Sequence, residues 1–162
     1  MTKGIEKMVP PLHIVLYQPE IPPNTGNIAR LCACTGCQLH LVHPLGFDID
    51  DRQLKRAGLD YWDYLDVREH DDWPALCRHL GDETRQWFGF TTRASKDLWE
   101  SCFAAGDVLV FGPETRGLPE PILKQLTSIR IPMRRGVPVR SLNMASACAI
   151  GTYEALRQME MS

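Results

Sequence analysis

Two short runs, residues 13–17 (HIVLY) and 107–111 (DVLVF), are apolar almost throughout and rich in β-branched residues. A strand wetted on one face alternates apolar with polar residues. A strand apolar at successive positions is covered on both faces. Between and around these runs lie helix signals. Pro19, Pro22 and Pro23 enforce a loop after the first run. Asn24 or Thr25 then suits the cap of a helix through Ile28, Ala29, Leu31 and Cys32, with Gly36 as its stop. Residues 38–43 alternate as a second strand, and Asp50 or Asp51 opens a helix that ends before Gly58. Asp72-Trp73-Pro74 is a cap with proline in the first turn of a helix reaching about Leu80. Residues 86–91 read as a strand, 119–126 as a short helix, 129–132 as a short strand and 142–158 as the closing helix. This alternation predicts an α/β fold, a parallel sheet with helices on both faces.

The chain of 162 residues suits a single domain, expected over residues 12–160, with residues 1–11 as a loose N-terminal extension. Residues 1–11 lack the apolar core of a secretory leader. The longest mostly apolar stretch, residues 142–153, falls short of the ~20 residues a membrane span needs. A cytoplasmic protein with no membrane contact is the expectation. The formal charge of −2 excludes a wholly basic surface, but the charge is uneven. Residues 48–72 hold nine acids and four bases, whereas residues 121–153 hold no acid and include Lys124, Arg130, Arg134, Arg135 and Arg140. Such asymmetry suits either a solvated surface or a basic lip that meets an anionic polymer.

Several common chemistries lose their support. The chain has no G-x-G-x-x-G, no P-loop, no G-x-S-x-G and no H-E-x-x-H. Cys32, Cys34 and Cys37 followed by His40 and His43 lack the paired-cysteine spacing of a structural zinc site, so no metal is expected. Cys34-Thr-Gly-Cys37 matches the C-x-x-C redox pattern. It falls at a helix C-terminus, however, where the dipole does not lower a thiol pKa. Packing is the expected role of these thiols.

Three loops at predicted strand ends carry the chemistry, and in open α/β sheets ligands sit beyond those ends. Asn24-Thr-Gly-Asn-Ile-Ala-Arg30 sets an amide and a guanidinium on one helical segment. Residues 111–119 (FGPETRGLP) form a loop stiffened by two glycines and two prolines, with Glu114 and Arg116 near enough to pair. Residues 131–133 (IPM) and 141–143 (SLN) bracket a basic loop, and Ser141 or Asn143 is placed to cap the last helix.

Together these segments resemble the SPOUT superfamily of RNA methyltransferases. Residues 12–30, 56–61 (RAGLDY) and 111–119 resemble its TrmL (YibK-like) group, the tRNA wobble-position 2′-O-methyltransferases, and the likeness spans about residues 12–158. The resemblance implies a C-terminal trefoil knot that binds S-adenosyl-L-methionine, leaving S-adenosyl-L-homocysteine. It implies cofactor contacts at Phe90, Thr91, Gly112, Glu114, Ile131, Met133, Ser141 and Asn143. It assigns catalysis to Asn24, Arg30, Glu114, Ser141 and Asn143, and RNA contact to Arg30 and Tyr153. Arg134, Arg135 and Arg140 are candidate RNA contacts by their charge, in a basic loop less typical of the family. It implies a homodimer that acts on a tRNA anticodon stem-loop, at cytidine-34 or 5-carboxymethylaminomethyluridine-34. Leu142 stands where close relatives often have Met, a volume-conserving exchange. A guanidinium holds its proton at physiological pH, so Arg30 is read as a group that orients phosphate and stabilises a developing alkoxide. Two alternatives stay open, methylation at another tRNA or rRNA position and a non-catalytic RNA-binding protein that retains the cofactor.

Overall fold

The computed structural model describes residues 9–50, 52–58, 65–81 and 84–159. Most of the expected N-terminal extension, Asp51, and Leu59 to Tyr61 of the RAGLDY segment lie outside these residues. The strands are β1 (Leu12–Tyr17), β2 (Gln38–Val42), β3 (Val67–His70), β4 (Trp87–Phe90), β5 (Asp107–Phe111) and β6 (Thr127–Ile129). The helices are α1 (Pro22–Thr35), α2 (Arg52–Gly58), α3 (Trp73–Leu80), α4 (Glu120–Leu123) and α5 (Met144–Gln158). The six strands form one sheet in the order β3-β2-β1-β5-β4-β6, and every pairing is parallel.

Period-two alternation explains the two apolar faces. Ile14, Leu16, Leu39, Leu41, Leu109 and Phe111 point to one side, where they pack with Ile28 and Cys32 of α1 and with Cys148, Ala155 and Leu156 of α5. Val15, Val42, Val108 and Val110 point to the other side, against Trp73 and Leu76 of α3 and Ile122 of α4. The chain starts at β1 in the middle, moves outward through β2 and β3, then returns to build β5, β4 and β6 on the opposite side. The order therefore reverses between β1 and β5, and the loops that follow these strands open onto a crevice.

Several local expectations shift. β3 was not anticipated, because its residues Val67-Arg-Glu-His70 form a half-polar edge strand. β6 lies at residues 127–129 rather than 129–132, and only an isolated bridge from Arg130 to Asp97 continues it. α1 is not capped by Asn24 or Thr25. Ile21 is its cap residue, and Pro22 and Pro23, expected in a loop, form its first turn. Gly36 ends α1 as expected, in the left-handed conformation at φ 75°. Asp72 caps α3 by accepting a hydrogen bond from the Ala75 amide.

A chain of imidazoles runs under α3. His13 Nδ1 lies 3.0 Å from His40 Nε2, and His40 Nδ1 lies 3.0 Å from His70 Nε2. His79 of α3 packs on the rings of His40 and His70. Burial pushes His13 down to about 4, with help from Arg85 and His79. Burial pushes His40 down to about 2, helped by His13, His70, His79 and Arg68. Burial also lowers His70, with His79 and Arg68 adding to it. The unfolded chain therefore takes up more protons as pH falls below the ordinary histidine value of 6.5, and stability is lost in that direction. Urea unfolding should show a loss on the order of 2 kcal/mol between pH 7 and pH 5 from fully buried His40 alone. The His40→Leu variant should lose that part of the pH dependence. A stability profile equally steep in the variant would refute the assignment.

Candidate active site

The loop after β1 turns sharply at Gln18, whose φ is 48°, and leads into the start of α1. Prolines at its first two positions have no N–H to offer, so the last donors before them are the amides of Glu20 and Ile21. Both donate to one carboxylate brought from the loop after β5. Glu20 N–H reaches Glu114 Oε2 at 2.7 Å and Ile21 N–H reaches Glu114 Oε1 at 3.1 Å. An anion at a helix N-terminus also meets the positive end of the helix dipole. Glu114 therefore does the capping that Asn24 was expected to do.

That leaves the Asn24 side chain, 6% exposed, for other partners. Its Nδ2 donates to Glu114 Oε1 at 3.5 Å, and its Oδ1 accepts from Asn143 Nδ2 at 3.0 Å. Asn143 in turn caps α5, accepting from the amides of Ala145 and Ser146. One relay thus joins three loops across 119 positions of sequence, Glu114 to Asn24 to Asn143.

The loop of residues 112–117 closes on itself through hydrogen bonds from the Gly117 and Arg116 amides to the Pro113 carbonyl. A Cβ at Gly112 would lie 2.4 Å from the Leu118 nitrogen, so only glycine permits this approach of two backbones. Phe90, at the end of β4, stacks on Phe111 with ring centroids 4.4 Å apart. α5 reaches Phe90 because residue 151 is glycine, where a Cβ would lie 2.6 Å from Phe90 Cζ.

These loops enclose a cavity of about 960 Å³. Asn24, Phe90, Thr91, Gly112, Glu114, Ile131, Met133, Ser141 and Asn143, all singled out from sequence, line it. Arg134, Arg135 and Arg140 line its rim. Arg30 and Tyr153 do not line it. They lie exposed on α1 and α5, with Tyr153 48% accessible. Glu114 and Arg116 do not pair with each other: Arg116 donates to Gln18 Oε1 at 3.3 Å. Thr92 and Arg130, the latter among the arginines of the expected basic lip, also line the cavity, as does Arg93, to which sequence reasoning gave no site role. Arg130 carries an ion pair with Asp97 at 2.6 Å.

The thiols do not sit as a C-x-x-C redox pair at a helix N-terminus would. Cys34 is exposed at the end of α1 and Cys37 is buried beyond it, with burial pushing the Cys37 thiol up. Burial likewise pushes Cys148 up to about 12. Among the described residues, no group of three or more His, Cys, Asp or Glu side chains is placed to hold a metal ion. No helix among them is long and apolar enough to cross a membrane.

A parallel sheet with this cleft at its reversal point is the architecture of a known class. The chain belongs to the SpoU rRNA methylase family, whose pattern matches residues 11–153. The tRNA (cytidine(34)-2'-O)-methyltransferase of Methylovorus glucosotrophus is 53% identical over 152 residues, covering 92% of this chain and 96% of that one. The enzyme of the same name from Yersinia pestis is 50% identical over 154 residues, covering 91% and 94%. A solved structure described as giving insights into the 2-OH methylation of C/U34 on tRNA superposes with a TM-score of 0.86. It is 49% identical and covers 91% of this chain and 95% of that one. The SpoU methyltransferase AviRb of Streptomyces viridochromogenes, solved with AdoMet, shares the fold at a TM-score of 0.78 and 23% identity, covering 91% and 57%.

The relay separates two functions of Asn143. Asn143→Ala removes the cap of α5 and should cost about 1 kcal/mol in urea unfolding. Asn143→Asp keeps an acceptor at the cap but places it against the Asn24 carbonyl oxygen. Its stability should match the parent, while the Asn24 side-chain amide resonances shift in a ¹H–¹⁵N spectrum. Unmoved Asn24 resonances in the Asp variant would disprove the relay.

Proposed function

We propose that this chain transfers a methyl group from S-adenosylmethionine to the ribose 2′-hydroxyl of the wobble nucleotide, position 34, of tRNA. The observation that carries the reading is the Glu114–Asn24–Asn143 relay at the mouth of the cleft, in a chain about half identical to tRNA (cytidine(34)-2'-O)-methyltransferases.

The cleft fits the methyl donor on its own terms. Its volume lies in the usual range for small-molecule sites, ~300–1,000 Å³. Phe90, Ile131 and Met133 supply apolar walls for a nucleoside, and Gly112 and Gly117 bring bare backbone to the surface. We assign donor binding to these residues together with Thr91, Glu114, Ser141 and Asn143. When bound, the donor supplies a methyl group made electrophilic by a sulfonium.

The chain's own residues then have to hold the ribose in line and help its hydroxyl lose a proton. Positioning of this kind is worth ~7–11 kcal/mol of barrier. We assign it to Asn24, Glu114, Ser141 and Asn143, whose polar groups converge at the cleft. Arg30 orients an adjacent phosphate and stabilises the developing alkoxide. Arg134, Arg135 and Arg140 form the basic lip at the cleft, in a stretch of sequence that carries no acid from residue 121 to residue 153.

Arg30 and Tyr153 lie outside the cleft, on outward faces of two helices that pack together. We therefore read the functional unit as a homodimer in which the RNA site spans both subunits. The 37%-exposed Ile150 beside Tyr153 supports α5 as part of that interface. We assign residues 12–160 to a single domain whose C-terminal segment, through α5, forms a trefoil knot, a reading supported by the SpoU methylase family match over residues 11–153. We assign the work to the cytoplasm, where the proposed tRNA substrate would be met.

The test is position-mapped nucleoside mass spectrometry of tRNA from cells lacking the gene, incubated with the protein and S-adenosylmethionine. A 2′-O-methyl group gained at nucleotide 34 is expected. Donor binding without that product moves the assignment to another RNA position or to a non-catalytic role. Arg30→Lys should keep the fold yet lose at least about tenfold in turnover, because a point charge replaces a planar fork. Near-parental turnover of that variant removes Arg30 from the mechanism. A monomer by light scattering at micromolar concentration removes the shared site.

A further inference from the structure

The Glu20 carboxylate has no role assigned above, and Glu20 does not line the cleft. Its surroundings are nevertheless dense. Its amide donates to Glu114 Oε2 at 2.7 Å. Its carboxylate accepts from the Thr115 amide at 3.1 Å and from Thr115 Oγ1 at 2.7 Å and 3.0 Å. Two residues on one loop thus exchange bonds with one residue on another, some 94 positions away. The Gln18–Arg116 contact at 3.3 Å reinforces the same pair of loops.

The two sides of this clasp are not held equally. The Glu20 backbone is pinned from behind: the Gly46 amide donates to the Pro19 carbonyl at 2.9 Å, and a Cβ at Gly46 would lie 2.8 Å from Glu20 Cα. The loop of Glu114 and Thr115 projects to the surface, with Thr115, Arg116 and Gly117 exposed. The Glu20 carboxylate is therefore the fixed jaw and Thr115 the held part. The Thr115 hydroxyl and amide hold the Glu20 carboxyl below the ordinary carboxylate range, so the jaw is anionic at neutral pH.

We infer that Glu20 is a positioning residue for the reaction proposed above: by clamping Thr115 it keeps the neighbouring Glu114 carboxylate seated on the start of α1 and in register with Asn24. It touches neither reacting group and acts through residues 114 and 115. The inference rests on the methyltransferase reading for its effect on turnover, but the clamp itself is observable without it.

The experiment pairs amide hydrogen exchange with steady-state kinetics. In Glu20→Ala the Thr115 amide should exchange at least about tenfold faster, while the Gly46 amide keeps its protection. Turnover should fall by about tenfold to 100-fold, with the KM for tRNA little changed, as expected for misplacement of a positioned group. Glu20→Gln retains an oxygen acceptor for Thr115 and should recover most of the lost turnover. Thr115→Val combined with Glu20→Ala should be no worse than Glu20→Ala alone, because both remove one contact. Unchanged Thr115 protection, additive losses, or an equal loss of protection at Gly46 would each overturn the inference, the last in favour of general structural damage. If the wild-type chain methylates no tRNA, the functional reading falls separately, and the exchange rates of Thr115 and Gly46 still decide whether the clamp exists.

Discussion

The site depends on one carboxylate set against the beginning of one helix. α1 starts with two prolines, which remove the amides that would otherwise have to be satisfied inside its first turn. The remaining donors, at Glu20 and Ile21, converge on Glu114. Local sequence offered nearer caps at Asn24 and Thr25. The chain instead uses a residue more than ninety positions away, and the long-range choice has consequences. It ties the loop after β1 to the loop after β5 across the reversal point of the sheet. It also releases Asn24 to bridge Glu114 and Asn143, so the start of α5 is fixed by the same group of bonds. A helix cap has become the frame of a cleft.

The sheet supplies the rigidity that this frame requires. Both of its faces are apolar and covered by helices. Two glycines let neighbouring segments pack tightly where the sheet meets the cleft. Gly112 lets the return loop pass against the end of β5, and Gly151 lets α5 lie on the Phe90 ring. Close-packed interiors transmit strain rather than absorb it. The position of Phe90 on one wall of the cleft is therefore set by Phe111 on one side and Gly151 on the other.

Much of this was legible in the sequence. The continuous apolar runs of β1 and β5 announced strands covered on both faces, and the stiff loop of residues 111–119 announced a site at a strand end. Asn24, Glu114 and Asn143 were singled out, and they touch. What failed to show was of two kinds. Edge elements carry weak patterns: β3 reads as charged and polar, and β6 has three residues, so neither alternation nor composition marks their limits. Partner choice over long range carries no local pattern at all. Glu20 stands among prolines in a segment that reads as a plain loop, and only the meeting of β1 with β5 shows that its carboxylate faces Thr115. Likewise His13, His40 and His70 lie on three separate strands, and pairing alone aligns them into one hydrogen-bonded row.

Charge placement completes the argument about the partner. A chain of net charge −2 cannot bind a polyanion by its overall field, so any such binding has to come from local segregation. Along the sequence the acids crowd residues 48–72. The arginines of residues 134–140 sit at the cleft instead, close to the relay. This arrangement gives a short basic lip rather than a long track, which under the proposed function would suit a compact RNA element whose ribose enters the cleft while adjoining phosphates stay outside. Arg30 and Tyr153, exposed on α1 and α5, do not line the cleft, and the proposal that the RNA site is shared between two chains rests on that placement.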